Sequence, residues 1–270
     1  MDILLRGKHK LKENGINPSL ADYVYKYGKR DQFDLNIEKI IKGIPVQYIV
    51  GNVNFFGNII DVNENVLIPR FETEELVSKT VNYIRDYFDK KINIADIGTG
   101  SGCIAITLKK KVDANVTAID ISDKALELAK KNAKKNNVNI EFILGNLLNP
   151  LNKKYDVIIS NPPYISKNEE IMDIVKNNEP SIALYAPNNG LYFYQEILKN
   201  ASKYLNNKSL IAFEIGYMQG ESIKKMALEY FPNSKVSLEK DMQGKDRFIF
   251  IFNDENLNWT MQLRFFKQYI

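Results

Sequence analysis

From residue 71 onward, strand-length runs of β-branched and aromatic residues alternate with helix-length amphipathic stretches, an order that few folds accommodate. The spacing predicts a helix over 72–88, opening with Glu72, Glu74 and Glu75, which suit the positive end of its dipole. A strand follows at 92–97, then a glycine loop and a helix ending near 111. The strand at 115–119 leads to a helix that begins after Ser122, a good N-cap, and runs to about 136. Strands at 140–144 and 155–160, a helix at 191–205, a strand at 209–215, a helix at 219–230 and strands at 235–240 and 247–252 complete the series. Parallel strands need crossovers, and the crossover helices cover both faces of the sheet. The expected fold is α/β: a mostly parallel, doubly wound sheet ending in an antiparallel hairpin.

Ahead of this series, residues 1–45 read as short helices, with Ile37, Ile40 and Ile41 at helical spacing and Gly15, Gly28 and Gly43 as punctuation. Residues 46–70 change character: Val53, Phe55, Ile59, Ile60, Val62, Val66 and Ile68 are broken by Gly57-Asn58 and Asn63-Glu64-Asn65, the pattern of a hairpin. The expected organisation is a helical domain (1–45), a β-hairpin linker (46–70), an α/β domain (71–253) and a tail of unassigned role (254–270).

Composition excludes several classes. The 270 residues carry 44% hydrophobic and 26% charged side chains, ordinary for a soluble globular chain, and the apolar runs are too short to span a membrane. The start, Met1 to Lys8, lacks the apolar core of a signal peptide. One cysteine rules out an internal disulfide and fits a reducing cytoplasm, and one histidine leaves little for a nitrogen/sulfur metal site. A net charge of +4 permits approach to RNA but does not argue for it.

Two segments carry chemistry. The first follows the run Tyr155-Asp156-Val157-Ile158-Ile159-Ser160 without a polar spacer: Asn161-Pro162-Pro163-Tyr164. Two prolines donate nothing and fix their own φ, so the turn is stiff and rich in acceptors. Asn161 adds a side-chain carbonyl and Tyr164 an aromatic wall. Such a site fits a planar –NH2 group with two hydrogens to give. It does not fit a phosphate or carboxylate, which needs donors.

The second is Asp96-Ile97-Gly98-Thr99-Gly100-Ser101-Gly102-Cys103, where a first strand turns into a helix. The dinucleotide fingerprint needs glycine at the first, third and sixth places. From Gly98 the sixth place is Cys103; from Gly100 it is Ala105. Asp120 closes the second strand 20 residues after Gly100, where a carboxylate accepts both ribose hydroxyls. This arrangement suits a nucleoside with an amino-acid tail, S-adenosylmethionine, over a dinucleotide. A tight turn without a ligand is the plainer alternative.

The chain resembles the glutamine N5-methyltransferases that modify bacterial class I peptide-chain release factors. The likeness runs from the N-terminal helices to about Phe252 and includes Gly43 to Gly51, Phe55-Phe56-Gly57, Leu67-Ile68-Pro69-Arg70-Phe71-Glu72-Thr73-Glu74, Asp96 to Gly102, Asn161 to Ile165 and Gly244-Lys245-Asp246-Arg247. The Pro-Arg-x-x-Thr-Glu element after a hairpin discriminates, because nucleic-acid amino-methyltransferases share Asn-Pro-Pro-Tyr but usually lack the hairpin and helical head.

The resemblance implies a Rossmann-like class I methyltransferase fold and a cytoplasmic, monomeric enzyme acting on the glutamine of a Gly-Gly-Gln loop in release factors, with neither a membrane nor a nucleic-acid substrate. It implies that Asp96, Ile97, Gly98, Thr99, Gly100, Gly102, Asp120, Ile121, Asn146, Leu147 and Asn161 hold S-adenosylmethionine. Asn161, Pro162, Pro163 and Tyr164 hold the substrate, and Asn161, Pro162 and Tyr164 form the catalytic set; Arg70 and Glu74 either bind the substrate as well or fix the corner between hairpin and helix. Asn146 stands where the family commonly has an acid, and Phe71 where it often has proline.

An amide nitrogen shares its lone pair with its carbonyl and is a poor nucleophile. The expected mechanism has Asn161 Oδ1 and the Pro162 carbonyl accept its two N–H bonds, aligning the lone pair and spreading the growing positive charge. No histidine base is required, and His9 reads as a surface or structural residue. Cys103 reads as a small apolar packing group, Lys109-Lys110-Lys111 as a solvated helix end, and the lysines at 124, 130, 131, 134 and 135 as an exposed helix face. Competing readings are methylation of a ribosomal-protein glutamine or an exocyclic base amine, and a non-catalytic release-factor or ribosome-binding protein.

Overall fold

The computed structural model describes residues 2–254, so the tail from 255 lies outside the described residues. Helices α1 (Ile3–Glu13), α2 (Ser19–Tyr27), α3 (Phe33–Ile41) and the short α4 (Val46–Val50) precede a hairpin of β1 (Asn52–Phe55) and β2 (Asn58–Asp61). The alternating series is α5 (Phe71–Tyr87), β3 (Ile92–Ile97), α6 (Cys103–Lys111), β4 (Ala114–Asp120), α7 (Asp123–Lys135), β5 (Glu141–Leu144) and β6 (Tyr155–Ser160). It continues with α8 (Asp173–Asn178), α9 (Ser181–Leu184), α10 (Tyr192–Ala201), β7 (Leu205–Glu214), α11 (Gly220–Tyr230), β8 (Lys235–Lys240) and β9 (Asp246–Asn253).

The main sheet has the order β5-β4-β3-β6-β7-β9-β8. Pairs from β5 to β7 are parallel, and β9 runs antiparallel between β7 and β8. All six residues of β6 are buried, as a central strand covered on both faces requires, whereas edge strand β5 is partly exposed throughout. Successive residues of β7 and β9 enter different cores: Leu210, Ala212, Phe250 and Phe252 one cluster, Ile211, Phe213, Ile249 and Ile251 the other. The first helices enclose a core of their own around Leu11, Val24, Phe33, Ile37 and Ile40.

Helix α7 shows how local chemistry builds a layer. The Ser122 hydroxyl accepts from Ala125 N–H at 3.2 Å, capping the helix as expected. Ala125, Leu126, Ala129 and Ala133 face inward and the five lysines face solvent. Asn132 is fully buried on the inner face. Its Nδ2 donates to the Asp61 and Ser101 carbonyls, each at 2.9 Å, and its Oδ1 accepts from Asp61 N–H at 2.8 Å. One side chain therefore ties the hairpin to the glycine loop.

Three differences from expectation have physical causes. The hairpin is shorter than 46–70: residues 46–50 form α4, ended by Gly51 at φ +83°, and only 52–61 pair. Residues 62–70 form no ladder, although Val62, Val66 and Ile68 are buried; the Ile68 N–H is satisfied by the Glu179 carboxylate at 3.1 Å. Helix α10 stops at Ala201 because the chain is drawn into the sheet, where Tyr155 N–H donates to Tyr204 and Leu205 pairs with Tyr155. The short helices α8 and α9, absent from the sequence reading, carry Glu179 between them, and Ile182 and Ala183 of α9 line the cleft.

Candidate active site

The carboxyl ends of β3, β4 and β6 meet at one place. Ile97 pairs with Ile119 on one side and Ser160 on the other, and the Ser160 hydroxyl donates to the Ile97 carbonyl at 2.7 Å. From β3 the strand order runs outward both ways, and open α/β sheets bind ligands at such a switch point.

The glycine loop lines a cleft there, with about 1110 Å³ of empty space partly open to solvent. Gly98 and Thr99 N–H both donate to the Ile119 carbonyl at 2.9 Å, pinning the loop to β4. Gly98 and Gly100 have φ of +72° and +54°, and a Cβ on either would meet nothing within 4 Å. Both conditions favour glycine: the left-handed backbone and a bare surface that a ligand can approach. Asp120 accepts Gly100 N–H on Oδ2 (2.8 Å) and Ser122 N–H on Oδ1 (2.9 Å). Each oxygen keeps a second lone pair for a hydroxyl. Ile121, Asn146 and Leu147 line the same cleft, with Ile121 more than half exposed, ready to cover a flat ring. The donor set and bare glycine floor fit an adenosyl group.

Asn161, Pro162 and Pro163 also line the cleft, beside Ile97 to Gly100. Asn161 Nδ2 donates to the Thr73 hydroxyl at 3.1 Å, and that hydroxyl donates to Glu214 Oε2 at 2.7 Å. Thr73 belongs to the Pro-Arg-x-x-Thr-Glu element; Glu214 ends β7 and was not singled out in the sequence. An acid closing an otherwise apolar run was the available signal.

Five expected contacts sit elsewhere. Asp96 is fully buried beneath the loop, its Oδ2 accepting the Thr99 hydroxyl at 2.6 Å, so it braces the cradle and does not line it. Gly102 lies behind the loop, where a Cβ would come within 3.1 Å of Ala129. Tyr164, expected as the aromatic wall, does not line this cleft. It packs against the second core cluster, and its carbonyl accepts Gln219 Nε2 at 2.9 Å. Arg70 pairs with the buried Glu179 and secures the corner into α5. Glu74 lies half-buried in the first turn of that helix, also outside the cleft. Phe71 is the first residue of α5, a position whose N–H has no intrahelical partner, so proline and phenylalanine both fit there and the turn is intact. Cys103 is buried and its thiol pushed up to about 12, which makes it inert.

Two structural predictions arise here. A Cβ on Gly190 would lie 2.0 Å from the Tyr164 carbonyl oxygen. Gly190→Ala is therefore expected to cost roughly 3 kcal/mol by thermal or denaturant unfolding, with the Asn161 to Tyr164 turn displaced. The second concerns pH. Burial pushes Asp96 up to about 7, against the lowering Thr99 hydrogen bond, and Glu214 up to about 7, against Thr73 and Arg247. The folded state thus holds these protons more tightly than the unfolded chain. Their contribution is complete below the unfolded carboxylate range and is lost as pH rises through about 7. Denaturant titrations should show roughly 2 kcal/mol per group more stability at about pH 5.5 than at about pH 8. The difference should shrink in Glu214→Gln.

Strand order and cleft together define a Rossmann-like methyltransferase, and the family model of the methyltransferase small domain matches residues 55–178. A release factor glutamine methyltransferase from Bacillus cereus is 42% identical over 221 residues, 79% of this chain and 78% of that protein. The one from Flavobacterium psychrophilum is 46% identical over 213 residues, 76% and 74% of the two chains. A methyltransferase structure from Pyrococcus furiosus shares the fold with a TM-score of 0.56 at 20% identity, covering 74% of this chain and 90% of that one. The chain belongs to the release factor glutamine methyltransferase family.

Proposed function

We infer that this protein transfers a methyl group from S-adenosylmethionine to the side-chain nitrogen of the glutamine in the Gly-Gly-Gln loop of class I peptide-chain release factors. The observation that carries the reading is the pairing of Ile97 with Ser160, which sets the rigid acceptor turn beside the glycine cradle in one cleft. Bound there, the cofactor supplies an electrophilic sulfonium methyl. Ile97 to Gly100 and Asp120 hold its tail and ribose, and Ile121, Asn146 and Leu147 border its base. Asp96 and Gly102 act from behind the loop.

The substrate carboxamide would donate its two N–H groups to Asn161 Oδ1 and the Pro162 carbonyl. Both residues line the cleft on a stiff turn, so acceptors held there would need little reorganisation during the transfer. Orientation does much of the rest. As the C–N bond forms the S–CH3 bond would break, leaving S-adenosylhomocysteine, and the methylated amide would then lose its extra proton to solvent to give N5-methylglutamine, which is why no histidine is needed. Residues 1–45 form the substrate-recognition domain, joined through the hairpin region 46–70 to the methyltransferase domain 71–253; Asn178 Nδ2 donates to the Gly43 carbonyl at 2.9 Å where the two meet. The protein acts as a cytoplasmic monomer. Among the described residues no helix is long and apolar enough to cross a membrane.

The test is incubation with labelled S-adenosylmethionine and purified release factor, intact or with its loop glutamine changed to alanine. Label is expected only on the intact factor. Label on nucleic acid, or on a ribosomal protein in its place, would overturn the assignment.

A further inference from the structure

We propose that Thr73 and Glu214 are positioning residues that decide which end of the Asn161 carboxamide faces the cleft. The inference rests on Asn161 acting as the acceptor for the substrate amide. An asparagine side chain presents an oxygen on one side and an –NH2 group on the other, and the two ends are nearly the same shape. Only the oxygen can accept an N–H. Something must choose, and the prolines that follow have no donor with which to do so.

The choice is made by a one-way chain of hydrogen bonds. An ionised carboxylate only accepts, so Glu214 obliges the Thr73 hydroxyl to spend its single hydrogen on Oε2, at 2.7 Å. The Thr73 oxygen is then left with lone pairs and takes a donor from Asn161, whose Nδ2 lies at 3.1 Å. Oδ1 is thereby turned away from Thr73. Thr73 is 3% and Glu214 2% exposed, so bulk water does not compete for either group. If Glu214 is protonated the direction is no longer forced. The acid can donate to Thr73, the threonine can donate to Asn161, and the carboxamide can present its –NH2 to the substrate, which then meets a donor facing a donor.

The groups that set the Glu214 charge come from every element around it. The Thr73 hydroxyl, Arg247 on β9 and the Asn161 side chain, which also reaches the carboxylate directly and so adds to the same preference, favour the ionised form, whereas Glu72 on α5 opposes it. Tyr164 after β6, Tyr194 on α10 and Cys103 on α6 also face it, and Tyr194 donates to the Glu214 backbone carbonyl at 2.8 Å. Burial outweighs Arg247 and holds this carboxyl at about 7, so the switch lies in a range accessible to assay.

The experiment measures kcat against pH with labelled S-adenosylmethionine and an intact release factor, and cofactor affinity by calorimetry, for the wild type, Thr73→Val, Thr73→Ser, Glu214→Gln and Asn161→Ala. Wild-type kcat is expected to rise through about pH 7. Thr73→Val should lose about thirtyfold in kcat and Glu214→Gln about tenfold, both with cofactor affinity within about twofold and with the pH step gone. Thr73→Ser restores the hydroxyl and should restore both rate and pH step. Full turnover in Thr73→Val beside a dead Asn161→Ala, an unchanged pH step in Glu214→Gln, or cofactor affinity falling as far as kcat, would each overturn the relay while leaving Asn161 its role. Wild-type turnover in Asn161→Ala would instead remove the reading beneath it.

Discussion

Asn161→Ala is expected to lower methyl transfer about a hundredfold, roughly 3 kcal/mol of transition-state stabilisation, while cofactor affinity changes little. The amide nitrogen gains positive charge as the new C–N bond forms, so an acceptor on its N–H groups matters more then than in the ground state. Removing Oδ1 removes that acceptor from a site whose remaining one is the rigid Pro162 carbonyl. Loss should appear in kcat more than in KM for the release factor. The alanine also leaves the Thr73 oxygen without its Nδ2 donor, and that strain falls on Thr73 and Glu214, not on the glycine cradle. Single-turnover rates with saturating cofactor, beside calorimetric cofactor binding, separate the two. A variant that binds cofactor a hundredfold more weakly yet transfers at the normal rate once saturated would assign Asn161 to cofactor binding alone.

Asp120→Ala should give the opposite signature: cofactor affinity down about a hundredfold, roughly 3 kcal/mol, with transfer from the saturated enzyme much less affected. Two losses combine. The carboxylate holds the loop through Gly100 and Ser122 N–H groups, at 2.8 and 2.9 Å, and on the proposed reading its remaining lone pairs would accept the ribose hydroxyls. Asp120→Asn keeps the shape but places an –NH2 where one of these N–H groups must be received. It should therefore weaken binding nearly as much. Titration of S-adenosylhomocysteine into each variant checks this without any turnover. Affinity unchanged in both variants would show that ribose recognition lies elsewhere in the cleft.

Much of the α/β portion could be read from the chain because its signals are local. The β6 run, the glycine loop and the Ser122 cap each sit within a few consecutive residues, and every strand from β3 to β9 falls within a few residues of its expected position. The face of α7 was legible for the same reason: its lysines and alanines follow a 3.6-residue period. Misplaced residues share the opposite property. For Arg70 the sequence left a substrate contact and a corner brace open alike, because its partner Glu179 lies 109 positions away, in a segment with no strong periodicity. Thr73 and Glu214 are 141 positions apart. Tyr164 belongs to a motif whose aromatic looks free to face a ligand until α10, α11 and the loop at Gly190 pack around it.

The chain alone determined the layer architecture, the glycine cradle, the acid that answers it and the acceptor turn, because period, backbone preference and missing donors are properties of neighbouring residues. Only the tertiary structure decided which of those residues meet. Parallel strands bring the ends of β3 and β6 side by side although more than sixty positions separate Ile97 from its partner Ser160. They also deliver to Asn161 a threonine from one helix and an acid from another strand. Hydrogen-bond polarity passes through space, and no spacing along the chain records it.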